Sequence, residues 1–73
     1  MNYSERFIKR NPILTEQDKQ FIEWINCVEN TVIEIMDVKL LDVSDMMYYY
    51  YFENGICSKT MARNVIDNIK KFS

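Results

Sequence analysis

The sequence predicts an all-α fold: a small three-helix domain in which one long helix packs on a helical hairpin. Three observations lead there. The 73 residues hold one Gly and one Pro, too little punctuation for a turn-rich β fold. Three segments repeat apolar residues at helical spacing. Each of the three is preceded by a capping signal.

The long helix is expected over about residues 15–37. Thr15-Glu16-Gln17-Asp18 reads as a capping box, with Glu16 and Asp18 suited to the positive end of the helix dipole. Phe21, Ile25, Val28, Val32 and Ile35 then form one apolar stripe, widened by Ile22, Ile33 and Met36. Glu23, Asn30, Glu34 and Asp37 fall on the other side. Trp24 sits at the stripe's edge, where its ring can cover the core while its N–H stays wet. Cys27 lies on or beside the stripe and reads as core. The β-branched Thr31, Val32, Ile33 and Ile35 lower intrinsic propensity, so packing must hold this helix.

After the connector Val38-Lys39-Leu40-Leu41, the pattern Asp42-Val43-Ser44-Asp45 predicts a second helix over about Val43 to Glu53. Asp42 is its expected cap and Asp45 belongs to an acidic first turn. Asn54-Gly55 ends it, Gly55 being free to take the left-handed conformation, and Ile56 folds back on the helix end. Ser58 is expected to cap a third helix, about Lys59 to Lys71, with Met61, Ala62, Val65, Ile66, Ile69 and Phe72 inward. Residues 1–14 form a basic arm cut off by Asn11-Pro12, in which Ser4 can cap one or two turns holding Phe7 and Ile8. Residues 15–73 form the single domain.

The net charge of −2 is segregated along the chain. Residues 1–14 carry +2, residues 15–56 carry −7 and residues 57–73 carry +3. Basic ends can neutralise the acidic middle, or present a basic face to an acidic partner. A chain this short buries only about 60% of its unfolded surface, so stability is marginal without help. Two cysteines, Cys27 and Cys57, and no histidine leave no tetrahedral zinc site and no inferable disulfide. Self-association is then the expected source of added stability, since 48% of the residues are hydrophobic. No apolar run is long enough to span a membrane. The expected setting is a reducing, intracellular compartment.

The arrangement Trp24, Val28-Glu29, Leu40, Asp42, Asp45, Tyr48, Phe52, Gly55, Ser58 and Ala62 resembles a family of short uncharacterised proteins from phages and large DNA viruses. The resemblance covers about residues 21–69. It implies a small accessory or virion-associated protein and carries no catalytic residues. The Asn, Ile, Lys and Tyr usage fits an AT-rich genome.

No catalytic residue, cofactor site or metal site is nominated. Histidine is absent as a general base, no glycine loop cradles phosphate, and Asp42 with Asp45 read as caps rather than as a carboxylate pair. A nucleophilic Cys27 or Cys57 needs a partner base that the sequence does not supply. The expected function is therefore a non-enzymatic protein-interaction or structural accessory module. Its contact surface comes from the run Met46-Met47-Tyr48-Tyr49-Tyr50-Tyr51-Phe52, too aromatic to hide on one face of a helix. With Met47, Tyr48, Tyr51 and Phe52 inward, Tyr49 and Tyr50 face a partner and Met46 lies at the rim. The expected partner is a second copy, as a homodimer or higher assembly. The alternative is a DNA-binding helix-turn-helix, in which Lys59, Thr60, Arg63 and Asn64 read the major groove and Lys70 and Lys71 meet phosphates. The acidic middle and Asn54 before the glycine oppose it. A helix lying on a membrane is disfavoured because the aromatic helix carries acids and no Lys or Arg.

Overall fold

The computed structural model describes residues 2–43 and 45–71. Its order is α1 (Tyr3–Arg10), α2 (Glu16–Met36), a short 3-10 helix (Leu40–Asp42), α3 (Tyr48–Glu53) and α4 (Ser58–Lys71). Among the described residues there is no strand, so the all-α class stands. The long helix is the spine: α1, α3 and α4 all pack on it, α4 most extensively.

Capping fixes where α2 begins and ends. Thr15 Oγ1 accepts from the Asp18 amide and Asp18 Oδ2 accepts from the Thr15 amide, both at 3.1 Å, which is the expected capping box. Asp37 closes the helix in the left-handed region at φ 55°, its amide returning to the Ile33 carbonyl at 2.8 Å. Phe21, Ile25, Val28 and Val32 are fully enclosed, as the stripe requires, together with Leu40, Tyr48, Met61, Ala62 and Val65, and Ile66 is buried at the edge of the core with 8% of its surface open. Ile35 departs from the expected stripe. It is 60% exposed, because it lies near the end of α2 where its neighbours no longer cover it. Cys27 is likewise exposed rather than core.

The N-terminal arm folds into α1. Asn2, not Ser4, is its cap: Asn2 Oδ1 accepts from the Glu5 amide at 2.9 Å, and Ser4 is buried with its hydroxyl on the same oxygen. Asn11 closes the helix by donating its side-chain amide to the Phe7 carbonyl at 2.8 Å. Phe7 and Tyr3 are half-buried against the core, which makes α1 a wall of the domain.

The second helix is shorter than the sequence suggests. Residues 40–42 turn as a 3-10 helix, and α3 begins only at Tyr48. Asp42 is therefore the last residue of the 3-10 turn rather than a cap. Asp45 Oδ1 accepts from the Met47 amide two residues on, a local turn that competes with helix formation. Met47 then occupies the left-handed region at φ 56° as the residue before α3. Ser44 lies outside the described residues. The other end of α3 follows expectation. Gly55 takes φ 77°, its amide reaches Phe52 O at 3.1 Å, and the Ile56 amide reaches Tyr51 O at 3.2 Å. This paired return is a Schellman closure, with glycine where a positive φ is needed.

The last helix starts one residue early, at Ser58, so Cys57 rather than Ser58 is the residue before it. The Cys57 carbonyl accepts the Met61 amide at 3.0 Å. Met61, Ala62, Val65 and Ile66 face inward as expected, and Ile69 packs against them. Phe72 lies outside the described residues.

Candidate interaction surfaces

Phe21 is the hub of an aromatic cluster. Its ring centroid lies 4.7 Å from Tyr49, 4.9 Å from Phe7, 5.5 Å from Phe52 and 5.9 Å from Trp24. These rings come from three helices, so the cluster joins α1, α2 and α3. The Trp24 ring stacks on Phe21 and the other three are tilted or edge-on to it, arrangements that add to what burial alone contributes. Trp24 completes the cluster and its N–H is not wet: Nε1 donates to the Ile56 carbonyl at 2.8 Å, pinning the α3–α4 junction to α2.

Within the aromatic run the faces differ from those expected. Tyr48 is fully enclosed, while Tyr51 and Phe52 are half-buried against the core. Met47 points outward, 67% exposed, because its left-handed backbone turns it off the helix register. Tyr49 turns inward: its ring packs on Phe21 and its hydroxyl donates to Asp18 Oδ1 at 2.9 Å. Burial and the Asp18 hydrogen bond push the Tyr49 phenol up to about 12. Tyr50 remains outward at 58% exposure, edge-on to Tyr51 at 5.7 Å. Met46 is half-buried. Of the three residues expected at the contact, Tyr50 alone is exposed, with the exposed Met47 close to it in sequence.

The basic face of α4 is also on the outside. Lys59, Thr60, Arg63, Lys70 and Lys71 are exposed and Asn64 is half-buried. A helix-turn-helix needs its two helices packed on one another. Here α4 packs mainly on α2, and α3 also packs on α2.

Two polar arrangements escape a reading by pattern. Glu29 is almost fully enclosed and accepts two amides, Tyr3 N at 3.1 Å on Oε1 and Leu40 N at 2.8 Å on Oε2. The first amide belongs to the opening residue of α1, where a carboxylate also meets the positive end of the helix dipole. The signal is its place beside Val28, only one residue off the apolar stripe. The second is Cys57. Its Sγ lies 3.1 Å from Thr60 Oγ1, and that contact, with the Thr60 and Lys59 amides, holds the thiol below its ordinary range. Cys57 and Cys27 are both free and exposed.

Among the described residues no three His, Cys, Asp or Glu side chains cluster as metal ligands, and no helix is long and apolar enough to cross a membrane. No family model matches the chain, and no similar curated protein or solved structure is found.

Proposed function

We propose that this chain is a small non-enzymatic module that acts by protein contact, through the surface formed by Met47 and Tyr50. The observation that carries the reading is the exposure of both large apolar side chains, 67% and 58%, at one helix start, where the other described aromatics pack against the core. Tyrosine buries much area for few rotors, and such anchors dominate contact energetics. The left-handed Met47 adds to this. Non-glycine residues rarely hold that conformation, and strain of this kind gathers at functional positions. The simplest partner is a second copy, forming a homodimer. The sequence resemblance to short phage and large-DNA-virus proteins supports a virus-associated accessory role.

Size-exclusion chromatography with light scattering tests the reading. The native chain should run as a dimer, and Tyr50→Ser with Met47→Ser should return it to a monomer of unchanged helicity. A native chain that stays monomeric at high micromolar concentration refutes the homodimer.

A second reading is DNA binding through the exposed basic face of α4, favoured by Lys59, Arg63 and Lys70 recurring at helical spacing and all exposed, with Lys71 beside them at the helix end. The same experiment with duplex DNA separates the two. A DNA complex that weakens steeply with salt and is lost in Arg63→Glu would favour it.

A further inference from the structure

Between α2 and α4 runs a half-open groove of about 310 Å³, lined by Thr31, Ile35, Lys59, Arg63 and Ile66. Ile66 makes its floor and the exposed Ile35 its rim. Thr31 turns its hydroxyl to the Cys27 carbonyl at 2.9 Å, so that group is already satisfied by its own helix. Two cations and two isoleucines are left to face whatever enters.

Those two cations are badly placed for stability. Lys59 lies in the first turn of α4, where the helix dipole disfavours positive charge. Arg63 follows four residues later, and like charges at that spacing repel. Neither meets a carboxylate at ion-pair distance among the described residues. Both nevertheless border the same groove. An anion seated there would relieve both interactions at once.

We propose that this groove is a docking site for an acidic, aliphatic helix of a partner protein. One Leu or Ile of that helix would enter between Ile35 and Ile66, and its flanking Asp or Glu side chains would meet Lys59 and Arg63. Lys59 and Arg63 stand one helical turn apart along α4, a spacing that two acids at i and i+4 of a partner helix match and a single small carboxylate does not. Small ligands gain affinity by burying most of their surface, whereas a helix laid in a groove draws on a wider contact. Neither Met47 nor Tyr50 belongs to the lining of this groove.

Fluorescence anisotropy with the full chain tests the proposal. The probe is a labelled helix-forming peptide about four turns long, with Leu at i and i+4 and Glu on both flanks. Its counterpart carries Lys in place of Glu. The Glu peptide should bind and weaken with salt, and the Lys peptide should not. Lys59→Glu with Arg63→Glu should weaken the Glu peptide by about tenfold or more and bring the Lys peptide into range. Tyr50→Ser should leave both results unchanged, which keeps this test apart from that of the aromatic surface. A Glu peptide that fails to bind, or binds the double variant as well, overturns the proposal. So does octanoate displacing the peptide, which would make the groove a small-carboxylate site. A second measurement addresses the misplaced charge itself. Lys59→Glu alone should raise the melting temperature by about 2–6 °C, through the dipole and a new attraction between the introduced carboxylate and Arg63. A melting temperature that stays or falls removes the basis of the argument.

Discussion

The hydroxyl of Tyr49 donates to the carboxylate of Asp18 at 2.9 Å, joining α3 to the first turn of α2. The same carboxylate closes the capping box through its other oxygen, on the Thr15 amide. A cap at one helix start is therefore also a tertiary contact.

This pairing predicts two pH limbs of opposite sign. The Thr15 amide and the Tyr49 hydroxyl hold Asp18 below the ordinary carboxylate range. A depressed carboxyl contributes stability above its unfolded value, and that contribution is lost as pH falls through the folded value. Asp18→Asn should lower the melting temperature at neutral pH and converge with the native chain in acid. Tyr49 is raised from 10.0 to about 12, so its contribution is full below pH 10.0 and lost as pH rises towards 12. Tyr49→Phe should flatten that alkaline limb. Thermal melts across pH check both, and parallel curves for native and variant chains would remove the linkage.

Glu29→Ala should destabilise the fold by about 2–5 kcal/mol, because it strands the amides of Tyr3 and Leu40. Urea unfolding measures this. A variant within about 0.5 kcal/mol of native would show that both amides find other partners.

Phe21→Ala should cost about 3–5 kcal/mol, since its ring is fully enclosed and central to the cluster. Phe52→Ala should cost less, about 2–3 kcal/mol, because Phe52 is half-buried. Tyr48→Phe should be neutral or stabilising. The Tyr48 hydroxyl is enclosed without a hydrogen-bond partner among the described residues, and burial pushes its phenol well above the ordinary range. Equal losses for Phe21→Ala and Phe52→Ala would move the centre of the core.

Cys57 should react with iodoacetamide at lower pH than an ordinary thiol, because the Thr60 hydroxyl and nearby amides favour the thiolate. Thr60→Ala should move the rate profile to higher pH. Identical profiles would show that the Sγ to Oγ1 contact does not act on the thiolate.

Much of the fold is legible in the sequence because its signals are local. The capping box at Thr15, the stripe from Phe21 to Val32 and the glycine turn at Gly55 each depend on spacing along a few residues. The region between Asp42 and Met47 misleads because its acids suit a helix cap and a local turn equally well. Asp45 bonds to nearby backbone instead of opening a helix. The aromatic faces follow from that difference. Starting α3 at Tyr48 turns Met47 outward and gives Tyr49 an inward course towards Asp18. Glu29 and Asp18 are legible only as polar residues near a stripe. Their tertiary partners lie far along the chain, where periodicity carries no information.

The placement of Glu29 near the middle of α2 has a consequence for how the domain opens. One carboxylate holds the first turn of α1 and the turn that follows α2, so neither segment can lift away without disturbing the acceptor of the other. The amides of Tyr3 and Leu40 should exchange with solvent deuterium as one cooperative unit, at a common rate that Glu29→Ala raises for both.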